Sequence, residues 1–390
     1  MRKVPVFLLF AAAILWLTPF LAAQTVCPGY SIIINTPEDA LTLAYNGAEN
    51  PQEQVAALDK FMAEHADSKF VPCAHEYYTM AYLKLNDYDK VIEHGEKAIA
   101  LGHRDVMTSL NLAKAYVASA KVSEGAFDTV VGGAEPIRTE SSPSRSSTAS
   151  EEAWQKELDA AKAQAKDWQA YMEYTFFQLI SREPDGNKRI GWLDKFAQAY
   201  PESTNAGQLP FQYFLAYKMT GQSDKAIEAG DKVLAADPNN LVTTNMLAYD
   251  LAFERKGPDR AEILAQKALD LVAGMKKPEG ITDEQFKAEQ DNQAGMARLT
   301  KGYLAFVKAE KSKKVASAIE ELKKASDLLV GNPTLQSQAL YLLGSAYEYQ
   351  YPPNHRSAIE ALTRAAAIPG GFQGPSQKLL ADVKRAAGVK

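Results

Sequence analysis

The tetrapeptide Leu58-Asp59-Lys60-Phe61 recurs as Leu193-Asp194-Lys195-Phe196, 135 positions later. Holding that offset without gaps aligns Ser68 with Ser203, Ala81-Tyr82 with Ala216-Tyr217, and Asp89-Lys90 with Asp224-Lys225. Ile92-Glu93, Gly95 and Lys97 then meet Ile227-Glu228, Gly230 and Lys232. Self-similarity at a fixed offset restricts the fold more than any single motif, because each copy must build the same unit. The unit is helical. Tyr78, Ala81, Tyr82 and Leu85 recur at helical spacing, Asn86-Asp87 breaks the run, and Val91, Ile92, Gly95, Ala98 and Ile99 resume it.

A shorter period lies inside the duplication: Tyr82 and Tyr116 stand 34 residues apart, each within a helix, a short break and a second helix. This pattern resembles the tetratricopeptide repeat (TPR). Gly207–Asn240 matches it through Tyr213, Tyr217, Ala226 and the terminator Asp237-Pro238-Asn239-Asn240. Leu241–Ala273 supplies Leu247-Ala248, Leu251, Ala261 and Ala268, and a later unit supplies Leu343-Gly344, Tyr347, Ala358, Ala365 and Pro369. A further unit carries Ala318, Ala325 and Asn332-Pro333, and Val106–Pro136 keeps Ala113 and Tyr116 but has Gly125 and Gly132 where alanines are usual. Phe196 leading to Tyr200-Pro201-Glu202-Ser203, and Phe61 leading to Ala66-Asp67-Ser68, are similar to the variant in periplasmic outer-membrane-assembly and Pal-associated TPR proteins.

The resemblance implies an all-α, right-handed α-solenoid whose first helices line a concave groove for a protein or peptide. The groove positions it assigns are Glu76, Tyr77, Met80 and Lys84, then Asn111 and Lys114. Later repeats add Phe211, Gln212, Leu215 and Lys218, then Asn245, Tyr249 and Phe253. Aromatics, amides and a few lysines suit an extended peptide whose backbone needs hydrogen bonds. The full lysine and asparagine clamp for a C-terminal carboxylate is absent.

Residues 1–23 read as a secretory signal: Arg2 and Lys3, an apolar run from Val4 to Phe20, then small residues ahead of Gln24. An uncleaved anchor is the alternative, since about 20 apolar residues span a bilayer. Export makes the only two cysteines, Cys27 and Cys73, candidates for a disulfide that pins the N-terminal segment to the first repeat. Two unrelated thiols, with Cys73 a small buried hydrophobe opening the first clear helix, is the other reading.

The organisation expected is therefore signal peptide 1–23, repeats 24–137, a disordered Ser/Thr-rich loop 138–152, and a long amphipathic helix 153–184. Repeats 185–373 and a capping helix with tail 374–390 complete it. The long helix, with Trp154, Leu158, Ala161, Ala165, Trp168, Met172 and Leu179, reads as core packing, or as a docking face around Trp168, Tyr171, Tyr174, Phe176 and Phe177. Gly274–Asp283 reads as a surface loop.

A net charge of −5 leaves nothing to collect phosphates and argues against nucleic acid. No HExxH, GxSxG, phosphate-loop or dinucleotide-binding pattern occurs, so no catalytic residue and no cofactor is expected. His75, His94 and His103 lack acidic or thiol partners at ligand spacing and read as surface or helix-end residues, so no metal site is expected. The expectation is a non-enzymatic, exported scaffold, periplasmic or secreted, possessing a protein partner in a cell-envelope complex. The alternative is a small-molecule or glycan-binding envelope component using aromatics such as Trp168 and Phe253.

Overall fold

The computed structural model describes residues 30–309 and 314–389. The expected signal at 1–23 and Cys27 lie outside those residues. Two compact units are present: residues up to 183 together with 195–203, and residues 184–194 together with 204 onward. Among the described residues both are built from α-helices with no strand.

The first unit contains α1 (Pro37–Gly47), α2 (Pro51–Glu64), α3 (Val71–Lys84), α4 (Tyr88–Ala100), α5 (Val106–Ser119), α6 (Glu124–Gly132), α7 (Ala134–Glu140) and α8 (Glu151–Ile180). Helix α9 (Gly186–Ala199) opens in the second unit and ends in the first. The second unit continues with α10 (Leu209–Met219), α11 (Ser223–Ala236), α12 (Leu241–Phe253), α13 (Pro258–Ala273) and α14 (Asp283–Ala309). It closes with α15 (Ala316–Leu328), α16 (Pro333–Tyr349), α17 (His355–Ala366) and α18 (Gln373–Ala386).

Starts and stops are written locally. Side chains of Thr36, Asn50, Asp87, Asp105, Ser123, Ser150, Asn240, Asn332 and Asn354 each accept from a backbone N–H of the first turn they cap. Within each unit, successive helices joined by short breaks pack on one another, and alternate ones also touch: α3 with α5, α12 with α14, α14 with α16. That second set of contacts is what stacks helical hairpins side by side into a solenoid.

The duplication is visible in geometry far beyond the matched letters. Tyr78 Oη donates to Asp59 Oδ1 at 2.6 Å, and Tyr213 Oη donates to Asp194 Oδ1 at 2.6 Å. Asp105 caps α5 through Thr108 N, and Asn240 caps α12 through Thr243 N. Lys121 bonds Asp89, and Lys256 bonds Asp224. Even the left-handed turn residues pair at the same offset: Asn86 (φ 56) with Gly221 (φ 67), and Ala120 (φ 54) with Arg255 (φ 57). Helices α2 to α5 and α9 to α12 are thus two copies of one design, which extends to Lys121 and Lys256.

Three expectations need correction. Cys73 does not open the first helix, because α1 and α2 precede α3. The Ser/Thr-rich connection is shorter than 138–152: α7 continues to Glu140 and α8 starts at Glu151, capped by Ser150. Within it Arg145 donates to Glu151 Oε2 at 2.6 Å and to the Ala149 carbonyl at 3.1 Å. A helix stands where the cap was expected, α18, with Gly374-Pro375 in its first turn, where proline's missing N–H costs no hydrogen bond. Only the second half of α8 packs as core: Met172, Phe176, Leu179 and Ile180 are buried, with Phe176 stacked on Phe196 at 4.1 Å, and no residue before Ala165 is buried.

Close helix approach depends on glycine. A Cβ on Gly95 would sit 2.5 Å from Leu112 Cγ, whereas one on Gly230, its counterpart, would meet Phe214 at an ordinary 3.4 Å. Leu112 is fully buried and has nowhere to retreat. Gly95→Ala should therefore destabilise by ~1–2 kcal/mol from overpacking, against the helix-propensity gain. Gly230→Ala should be neutral or stabilising by up to ~1 kcal/mol; chemical denaturation of the two variants checks the opposite signs.

Candidate functional site

The faces of the first helices are the candidate surface, and the structure sorts the expected residues into sealed and accessible ones. In the first unit Glu76, Tyr77 and Asn111 are buried. Tyr77 stacks on Tyr45 at 4.9 Å, and Asn111 Nδ2 donates to Thr79 Oγ1 at 3.0 Å. Met80 is half-buried against the Phe70–Tyr77 core, and Lys114 is half-buried with its ammonium pKa lowered by burial. Lys84 is exposed and donates to Gln54 Oε1 at 3.1 Å.

In the second unit Asn245 is buried, its Nδ2 donating to Gln293 Oε1 at 2.7 Å and to the Gln293 carbonyl at 3.0 Å. Phe211, Gln212, Leu215, Lys218, Tyr249 and Phe253 are half-buried. Gln212 accepts from Arg189 at 2.9 Å. Lys218 is ion-paired with Asp250, whose carboxyl pKa is raised by burial, and Asp250 Oδ2 has no hydrogen-bond partner. Tyr249 Oη donates to Gln338 Oε1 at 2.8 Å. Phe253 lies between Tyr249 at 4.3 Å and Tyr303 at 4.1 Å, a stack running from α12 onto α14.

The expected groove is thus corrected at Glu76, Tyr77, Asn111 and Asn245. Asn111 and Asn245 spend their side-chain N–H groups on Thr79 and Gln293, so those donors are not offered to a peptide backbone. What remains half-buried or exposed is Met80, Gln212 and Leu215, the aromatics Phe211, Tyr249 and Phe253, and the lysines Lys84, Lys114 and Lys218. Tyr303, Gln293 and Gln338 were not legible as members: their partners lie 48 to 89 residues away along the chain.

The histidines also differ from expectation. His103 is buried, with Nε2 at 2.8 Å from Glu76 Oε2 and 3.5 Å from Asp105 Oδ2. Its Nδ1 lies 3.8 Å from Cys73 Sγ. Burial alone would lower the imidazole pKa; hydrogen bonds to Asp105 and Glu76 outweigh it and hold the group up to about 9. His75 and His94 face each other with Nδ1 atoms 2.9 Å apart, and Tyr78 stacks on His94 at 4.0 Å. Burial and the neighbouring His75 push His94 down to about 4. His103 does sit at a helix end, just beyond α4, but it and His75 are buried and His94 is half-buried, because α3 brings acidic and aromatic partners to them.

Asn245→Ala should cost ~1–3 kcal/mol by orphaning the Gln293 carbonyl and side-chain oxygen. Lys84→Ala, on an exposed face, should stay within ~0.5 kcal/mol. Urea unfolding monitored by circular dichroism distinguishes them.

No family model matches the chain, and no curated protein matches it. Among solved structures, the C-terminal part of a TPR repeat-containing protein from Cytophaga hutchinsonii aligns with a TM-score of 0.40 at 15% identity, over 79% of this chain and 98% of that one. Yeast Tom70 aligns with a TM-score of 0.28 at 12% identity, over 90% and 96% respectively. At such scores the all-α assignment rests on the helix pairs of this chain, not on the neighbours.

Proposed function

We propose that this chain is a non-enzymatic TPR-like scaffold that holds an extended segment of a protein partner against its first helices. The observation that carries the reading is the half-exposed Tyr249–Phe253–Tyr303 stack on adjacent first helices, beside the Lys218–Asp250 pair. Aromatic rings supply contact area with little rotamer entropy to lose, and a preformed helical face loses little on binding. Specificity would come from the accessible lysines, Lys84 in the first unit and Lys218 in the second. Crosslinking capture from an envelope fraction tests this. Phe253→Ala or Tyr249→Ala should cut recovery of the partner at least tenfold while leaving helicity intact, and unchanged capture would sink the groove.

We further propose export, cleavage before Gln24 and a Cys27–Cys73 disulfide, with action in a cell-envelope complex. Supporting this are the basic and apolar layout of residues 1–23 and the oxidising compartment it implies. No described helix is long and apolar enough to cross a membrane. Non-reducing peptide mapping of the mature protein should find Gln24 at the N-terminus and one Cys27–Cys73 linked peptide. An intact Met1 or two alkylatable thiols would contradict the proposal.

A further inference from the structure

Glu76, His103 and Asp105 each present one donor atom, and the three atoms lie within 4.8 Å of one another. From this geometry we infer a binding site for a divalent first-row transition ion, with zinc the natural probe, independent of any peptide-binding face. Tetrahedral zinc ligands at 2.0–2.2 Å stand about 3.3 Å apart, so the two histidine–carboxylate spacings of 2.8 and 3.5 Å need change by only tenths of an ångström, and the two carboxylate oxygens, within 4.8 Å of each other, close by up to about 1.5 Å.

Three observations converge. First, Glu76 is 2% exposed, yet its Oε1 has no hydrogen-bond partner while Oε2 sits on His103. The two oxygens of a carboxylate are held together by one carbon, so an ion taken by Oε2 is within reach of Oε1 and removes the orphan. Second, the ligands are oriented from behind. Asp105 Oδ1 accepts the Thr108 N–H at the α5 cap at 2.7 Å, leaving Oδ2 as the atom turned to His103. A ligating carboxylate fixed by a hydrogen bond on its other oxygen is the usual outer support of a metal. Third, the fold does not need these charges. At the 135 offset the second copy carries Phe211 in place of Glu76 on the matching helix, and Pro238 and Asn240 in place of His103 and Asp105 in the matching helix connection.

One imidazole and two carboxylates are a borderline-to-hard donor set that neutralises a dication and suits zinc, manganese or iron(II) better than copper(I). Three protein ligands leave a fourth position for water.

The test uses the full mature chain, stripped with EDTA and dialysed against Zn2+, with Co2+ visible absorption as an independent readout. We expect one Zn2+ per chain and d–d bands for the cobalt form. His103→Gln and Glu76→Gln should lose at least a hundredfold in affinity. Asp105→Asn should lose at least tenfold, and it cannot be dismissed as misfolding because Asn240 makes the same cap in the second copy. His94→Gln, in the other histidine pair, should leave binding unchanged. Absence of stoichiometric Zn2+, full binding retained by Asp105→Asn, or loss of binding in His94→Gln would each overturn the site.

Discussion

Everything in this molecule depends on how closely two helices can approach. Gly95 lets Leu112 into contact, Gly302 does the same for Leu322, and Gly344 for Leu362; a Cβ at these positions would lie 2.5–2.7 Å from the leucine Cγ. At the ordinary contact distance that the missing Cβ allows, dispersion is small per atom and large per leucine, and a gap of up to one ångström forfeits roughly a quarter to a half of it. The glycine costs helix propensity, about 1 kcal/mol each, and the solenoid recovers it in packing. Aromatic residues then fill what the glycines do not, so that each hairpin offers its neighbour a surface already shaped.

The duplicated copies show which features this packing demands and which it tolerates. The tyrosine–aspartate bonds, the lysine–aspartate pairs, the helix caps and the left-handed turns are kept in both. Side chains that point between helices without serving those contacts have diverged, and the divergence is chemical: a buried carboxylate and imidazole in one copy, phenylalanine and proline in the other. Burying charged groups is unfavourable unless each is paired, so their presence in the first copy is a departure from what the scaffold alone requires.

Helix pairs were legible because their signals are local. Alternation of small and aromatic residues at helical spacing, with Asn86-Asp87 or Asp237-Pro238 between, fixes hairpins without any long-range information. In α14 the sequence alone does not explain Gly295 and Gly302; the packed Leu329 and Leu322 do. The accessible surface was legible only in part. Whether Asn111 or Asn245 faces a partner depends on Thr79 and Gln293, which no periodicity connects to them. The same holds for His103: Glu76 lies 27 residues earlier on α3, with α4 between them in the chain.

Helix α8 is held in two different ways along one continuous ladder of hydrogen bonds. Its last four turns are clamped by Phe127, Phe196 and their neighbours, while the turns from Glu151 onward rely on the Ser150 cap and pairs such as Gln155 with Asp159. Amide exchange along it should therefore be graded, fast near Trp154 and slow near Phe176, since local opening follows burial and not the helix boundary. One rod would then behave as a mobile lever seated in a rigid socket.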